Sequence, residues 1–329
     1  MKFIFSALGT ALVVLSVMLV NLYNTVDDVA AVHQPASQPE YHIQLVTQSS
    51  NEHFWTTFKK GALAAGEELS IYVEFVDIAQ RDAAAAAEKV EKAIYAGVDA
   101  IALQAADLNT TSQVLQQAQQ AGLAVLTFEN DIFFIPNIAT VGSNSYDIGF
   151  TAGTMGAAAR GGRATVAVLI DDSGEEDENR YKNLKLQGLL DAFSAYEDIK
   201  IEDIYTLNAG RFEVERLTGK ILEQTPQVDL IICTDERNTP GVAQTLVDAN
   251  RVGDIAVIGY GAMPQTLNYI ERGVIYGTIT PAAFDIGYYT VAQLRLLLEG
   301  RQISDNLNTD IYTVTSQNLA EYKAMAEAG

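Results

Sequence analysis

Residues 82–130 read DAAAAAEKVEKAIYAGVDAIALQAADLNTTSQVLQQAQQAGLAVLTFEN, and this stretch decides the fold. Asp82 offers a side-chain oxygen to the first free amides of a helix over Asp82–Ala96, and Gly97 stops that helix. Ala100–Gln104 is a short apolar run without polar alternation, the mark of a strand covered on both faces. Thr110–Ala121 is a second helix ending at Gly122, and Leu123–Phe128 a second strand. Strands and helices taking turns at this spacing build a parallel sheet with helices on both faces.

The same grammar runs outward. Upstream, Ile43–Thr47 and Tyr72–Val76 are strands. Between them Phe54, Phe58, Ala62, Ala65 and Leu69 recur every three or four residues along one helix face. After Gly142 the series restarts, with strands at Ala164–Ile170, Ile199–Thr206, Leu230–Cys233, Ile255–Gly259 and Ile275–Ile279. Arg180–Phe193, Val214–Gln224 and Thr239–Asn250 are helical stretches between them. Two series in 329 residues imply two α/β lobes, each a doubly wound parallel sheet. Such sheets bind ligands beyond the carboxyl ends of their strands. The polar clusters at strand ends therefore matter most: Gln48–His53, Glu129–Asp131, Thr234–Asn238 and Tyr260–Met263.

Composition narrows the function. The net charge is −21, from 42 acidic and 21 basic residues, and such a surface repels nucleic acid. Cys233 is the sole cysteine, so no intrachain disulfide forms, and its place at the end of Leu230-Ile231-Ile232 makes it a small core residue. His33, His42 and His53 are not spaced as a metal site, and no phosphate loop, HExxH, GxSxG or calcium-loop pattern occurs. Gly161-Gly162 precedes its strand, whereas a dinucleotide loop follows one. No cofactor and no enzymatic activity are expected.

Phe3–Val26 carries no charge and is long enough to cross a bilayer. Lys2 precedes it and Asp27 and Asp28 follow it, which orients the body outward. The expectation is a single N-terminal membrane anchor over residues 1–30; a cleaved signal peptide ending near Val29-Ala30-Ala31 is the alternative. No cysteine follows the run to accept a lipid. Residues 31–40, with Pro35 and Pro39, form a linker. The lobes are expected over 41–143 plus 281–305 and over 144–280 plus 306–329.

From Tyr41 to about Asn318 the chain resembles the ribose-binding-type periplasmic sugar-binding proteins. The segments carrying the likeness are Asn51-Glu52-His53-Phe54-Trp55, Gly97-Val98-Asp99-Ala100-Ile101, Thr127-Phe128-Glu129-Asn130, Gly142-Ser143-Asn144, Thr234-Asp235-Glu236 and Ile258-Gly259-Tyr260-Gly261. The resemblance implies two lobes of the type I periplasmic binding protein fold joined by a hinge, closing on a sugar. It further implies that Asn51 and the paired aromatics Phe54 and Trp55 meet the ligand. Glu129 and Asn130 then stand where the family has an acid followed by Arg. Lys185 takes the place of a binding Arg, Phe212 matches an aromatic of the second lobe, and Asp235 occupies a binding Asn position. Gly261 departs from an Asp and Pro281 from a Gln, so the ligand is expected to be held differently from ribose, with Tyr260 or Arg237 reaching in.

The chemistry suits a polyol: aromatics cover C–H faces, and charged or amide groups bind hydroxyls. Each residue also has a plainer role. Phe54 shares the core face with Phe58, whereas Trp55 lies one position off it and faces a pocket. Phe212 can staple the helix after it, Glu129 and Lys185 can be surface residues, and Asp235 can cap the following helix. The reading is extracytoplasmic capture of a small sugar or polyol. An anchored protein would report to a sensor histidine kinase; the alternative partner is an ABC sugar permease.

Overall fold

The computed structural model describes residues 39–48, 53–79, 82–104, 108–129, 135–171, 183–207 and 211–328. The N-terminal apolar run and residues 31–38 of the linker lie outside them, as do Asn51 and Asn130.

Two six-stranded sheets carry the chain. The first holds β1 (Tyr41–Gln48), β2 (Ile71–Ile78), β3 (Ala100–Leu103), β4 (Ala124–Phe128), β5 (Ala139–Gly142) and β11 (Asn306–Asn308), in the order β11-β5-β4-β3-β1-β2. The second holds β6 (Arg163–Asp171), β7 (Asp198–Leu207), β8 (Leu230–Cys233), β9 (Ala256–Tyr260), β10 (Gly277–Pro281) and β12 (Ile311–Thr315), in the order β12-β10-β9-β8-β6-β7. Every pairing is parallel except β10 with β12. In each sheet the order reverses at the first strand, β1 or β6, leaving a crevice at the carboxyl ends.

Local sequence explains the elements. Helix α2 (Ala83–Ala96) starts where the Asp82 carboxylate accepts the Ala85 N–H, and it ends at Gly97 in the left-handed region. All four residues of β3 are buried, as are all four of β8, as expected of central parallel strands. Helices α1 (His53–Glu68) and α9 (Ala283–Leu298) cover one face of the first sheet through Phe58, Ala62, Ile286 and Leu294; α2 and α3 (Leu108–Gln120) cover the other through Val90 and Leu115. On the second sheet α4 (Ser145–Ala159) and α5 (Leu184–Phe193) face α6 (Arg211–Gln224), α7 (Asn238–Asp248) and α8 (Pro264–Glu271). Cys233 is buried in that second core, and burial pushes its thiol up to about 12, so it is an inert packing group.

The chain crosses between sheets three times: at Ser143-Asn144 after β5, at Ala282 after β10, and at Thr309-Asp310 between β11 and β12. The sequence expectation assigned 306–329 to the second lobe, and β11, at 306–308, pairs with β5 of the first. The crossings are tied together. Thr309 N–H donates to the Gly142 carbonyl at 2.8 Å, and Ala282 N–H donates to the Asp310 carbonyl at 3.0 Å.

Glycines let the covering helices touch backbone to backbone. A Cβ at Gly61 would lie 1.9 Å from the Phe284 carbonyl oxygen, and one at Gly287 2.0 Å from that of Phe58, so α1 and α9 exclude side chains there. Gly149 and Gly188 do the same for α4 and α5, at 1.8 Å from the Lys185 oxygen and 2.0 Å from the Tyr146 oxygen. Gly188→Ala therefore forces these helices apart and should cost about 3 kcal/mol or more in chemical denaturation. Gly219 meets nothing within 4 Å. Gly219→Ala, in helix α6, should instead stabilise by about 0.5–1 kcal/mol.

Candidate functional site

The site is where the carboxyl ends of the strands meet the crossings. A cavity of about 150 Å³ opens there, between the start of α1 and the second sheet. His53, Phe54 and Thr57 form one wall; Thr280, Pro281, Ala282, Phe284 and Asp285 form the floor along the second crossing. Glu236, Tyr312, Tyr322 and Met325 close the far side. Tyr322 and Met325 stand on the last helix, α10 (Leu319–Ala328), which Lys323 holds to Glu271 at 2.9 Å.

Its electrostatics are mostly neutral. Burial lowers the pKa of His53, and the nearby Lys60 charge lowers it further, so the imidazole is neutral at pH 7. Burial, with a smaller contribution from the charge of Glu236, pushes the Tyr322 phenol up to about 12, which keeps it a neutral hydroxyl. Burial and the Asp310 carboxylate raise the pKa of Asp285. Glu236 is 6% exposed, and its Oε1 accepts the Ala262 N–H at 3.2 Å. Aromatic faces, a phenol and a carboxylate in one cavity can bind C–H faces and hydroxyls together.

Of the residues singled out by sequence, Phe54 lines this cavity. Trp55, expected to face a pocket, is 3% exposed and packs edge-on to Phe58 and Phe128 with ring centroids 5.8 and 6.1 Å apart. Trp55 thus takes a core place, while Phe54 stacks on Phe58 at 6.1 Å at the edge of that core and also lines the cavity. Phe54 meets Trp55 edge-on at 5.1 Å, which couples the cavity wall to the core. Glu129 adopts a positive φ of 45° and turns back to the first crossing. Its Oε1 accepts both the amide and the hydroxyl of Ser143 at 2.8 Å.

Lys185 and Tyr260 come together in the second lobe, with the ammonium 4.5 Å from the ring centroid, a cation–π pair. Asp235 takes the Arg237 guanidinium in a two-pronged pair at 3.0 Å on each oxygen, and Oδ1 also accepts the Arg237 amide at 2.9 Å. Arg237 is the N-cap of α7 and uses no side-chain bond there, so Asp235 organises the turn before the helix. Asn51 and Asn130 lie outside the described residues, and for Phe212 only its place in α6 is described. Sequence reasoning did not single out His53, Glu236, Tyr312, Tyr322 or Met325. His53 and Glu236 fall inside the strand-end clusters Gln48–His53 and Thr234–Asn238 without being named as ligand contacts; Tyr322 and Met325 had no signal, being brought in by α10 from far along the chain.

A model of the periplasmic binding protein domain matches residues 43–302, and the chain belongs to that family, one of binding proteins rather than enzymes. The D-allose-binding periplasmic protein of Escherichia coli is 23% identical over 257 residues, covering 75% of this chain and 81% of that protein. The glucose-galactose binding protein GanP of Geobacillus stearothermophilus superposes with a TM-score of 0.77 at 26% identity, over 85% of this chain and 98% of the other. A periplasmic solute binding protein of an ABC transporter from Actinobacillus succinogenes, solved with bound D-allose, has a TM-score of 0.78 at 20% identity, over 86% of this chain and all of the other. These likenesses carry the two-lobed type I architecture expected from the sequence.

The cavity imidazole sets a pH test. His53 has a folded pKa below its unfolded value of 6.5, so the unfolded chain takes up more protons as the pH falls. The stability present above that value is lost as the pH drops through it. His53→Gln should flatten this part of the stability profile between about pH 7 and 5, measured by urea denaturation.

Proposed function

We propose that the chain captures a monosaccharide or similar small polyol in the cleft at its crossings and releases it unchanged. The observation that carries this is the cavity itself, where Phe54 and Tyr322 flank the buried carboxylate of Glu236 at the carboxyl ends of the strands. The named sugar ligands of the relatives support the class of ligand. The net charge of −21 also suits a neutral ligand, since the field of the protein repels anions. Ligand bound to both walls favours the closed arrangement of the lobes, which the three crossings permit by bending.

The capture component of an ABC sugar importer is the role favoured by relatives of that kind. A second reading has its own observation, the uncharged run Phe3–Val26 at the N-terminus. A protein held by that run at the extracytoplasmic face would meet a sensor histidine kinase at high effective concentration, so a weak contact would suffice. Among the described residues, no helix is long and apolar enough to cross a membrane.

Calorimetric titration of the full chain with a panel of pentoses and hexoses tests the capture reading. At least one sugar should bind, raise stability by about 2.7 kcal/mol at 100 times its Kd, and be recovered intact by mass spectrometry. Binding should also change the emission of Trp55, the sole tryptophan, through its contact with Phe54. Silence across the panel contradicts sugar capture, and a converted sugar contradicts a pure binding role. Membrane fractionation with N-terminal sequencing separates the roles: an intact, membrane-retained N-terminus supports the sensor, and a soluble product beginning near Val32 supports the importer component.

A further inference from the structure

The last helix, α10, lies beyond residue 302, where the match to the family model ends, yet it supplies one wall of the cavity. Several contacts fasten it to the second lobe. Asn318 Oδ1 accepts the Thr315 N–H at 2.8 Å and its Nδ2 donates to the Thr313 carbonyl at 2.7 Å, so one side chain closes the turn after β12. Tyr322 N–H then donates to the Asn318 carbonyl at 3.0 Å, which starts the helix from that turn. Lys323 reaches Glu271 of α8 at 2.9 Å. Leu319, Tyr322 and Met325 follow one another at three-residue spacing, which sets them along one face of the helix. Leu319 is buried in the core of the second lobe, Tyr322 lines the cavity, and Met325, 42% exposed, stands at its rim. The face thus runs from core to cavity to solvent, on a helix that cannot turn without breaking its fastenings.

The Tyr322 ring is held as well. It packs edge-on to Tyr312 with ring centroids 6.1 Å apart, and Tyr312 stands on β12 directly opposite Thr280 of β10. The Thr280 hydroxyl is hydrogen-bonded to the phenol, and burial keeps that phenol protonated at neutral pH. Across the cavity stand His53, Phe54 and Thr57 of the first lobe. The floor from Pro281 to Phe284 has no side-chain donor, so polar recognition falls to the walls. We propose that Tyr322 is a specificity-determining residue of this cleft, its phenol pairing with one ligand hydroxyl from the second lobe while Phe54 covers a C–H face from the first. This rests on the sugar reading above. A phenol both donates and accepts, so its bond with Thr280 and a bond with a ligand hydroxyl are compatible. Because ring and helix are both fixed, the phenol cannot follow a hydroxyl that points elsewhere, and a sugar of the wrong configuration leaves a polar group unmatched in a closed cavity.

The test titrates D-allose, D-ribose and D-arabinose into the full chain and its Tyr322→Phe variant, with ligand-free melting of both, and then repeats the titrations with monodeoxy forms of the best-bound sugar. Tyr322→Phe keeps the ring and its packing on Tyr312 and removes only the hydroxyl. It should weaken the best-bound sugar about tenfold and change the ratios among the three sugars. One monodeoxy form should bind the unaltered chain about tenfold more weakly than the full sugar does, yet bind the variant no more weakly than the full sugar, because the partner of its missing hydroxyl is already gone. Variant affinities within about twofold of the unaltered chain overturn the proposal. So does a loss that no monodeoxy form matches, or an equal loss for all three sugars that tracks a lower ligand-free melting temperature. Failure of the unaltered chain to bind any of the three overturns both this proposal and the sugar reading, which distinguishes that outcome from a Tyr322 failure alone.

Discussion

The two backbone hydrogen bonds joining the crossings, Thr309 to Gly142 and Ala282 to Asp310, are the constraint on which the arrangement depends. They hold three chain segments side by side at one edge of both sheets, so the lobes share a seam rather than a single flexible tether. Glu129 adds to the seam by fastening the end of β4 to Ser143. From the second crossing the chain runs directly into α9, whose glycine contact with α1 leaves no room to slide. The start of α1 then faces the second crossing, and the cavity lies between them. Cleft geometry follows from backbone contacts that a single added methyl group would disturb.

The cleft chemistry is that of a neutral ligand in an acidic protein. His53 is neutral at pH 7 because burial opposes its charge, and Tyr322 keeps its proton for the same reason. Cationic side chains near the strand ends are drawn elsewhere, Arg237 to Asp235 and Lys185 onto the Tyr260 ring. Glu236 remains on the cavity wall, seated by an amide and a glycine. Among the described residues, such a wall offers acceptors and aromatic faces without a cluster of cations that would select a phosphate or carboxylate.

Much of the architecture was legible because it is local. Asp82 and Gly97 bound a helix by their own side-chain and backbone chemistry, and β3 and β8 announce burial on both faces by unbroken apolar runs. The short strands β5, β11 and β12 were not legible, since three to five residues of mixed character acquire their role only by pairing with distant partners. The site was legible only in outline. Strand ends pointed to segments that line the cavity, yet Trp55 is core where its offset from the helix face suggested a pocket, because α9 and Phe128 cover the side of α1 where Trp55 points. Asp235 was visible as an acid at a strand end, but its commitment to Arg237 depends on turn geometry. Tyr322 arrives on α10 after the third crossing, and no nearby residue hints at it.

The measurement that bears most directly on the account is a crystal structure of the chain grown with the sugar that binds most tightly in calorimetry. The account predicts density for an unmodified sugar between the Phe54 wall and the second lobe. Sugar density at another place on the molecule, with this cleft holding only solvent, would contradict it.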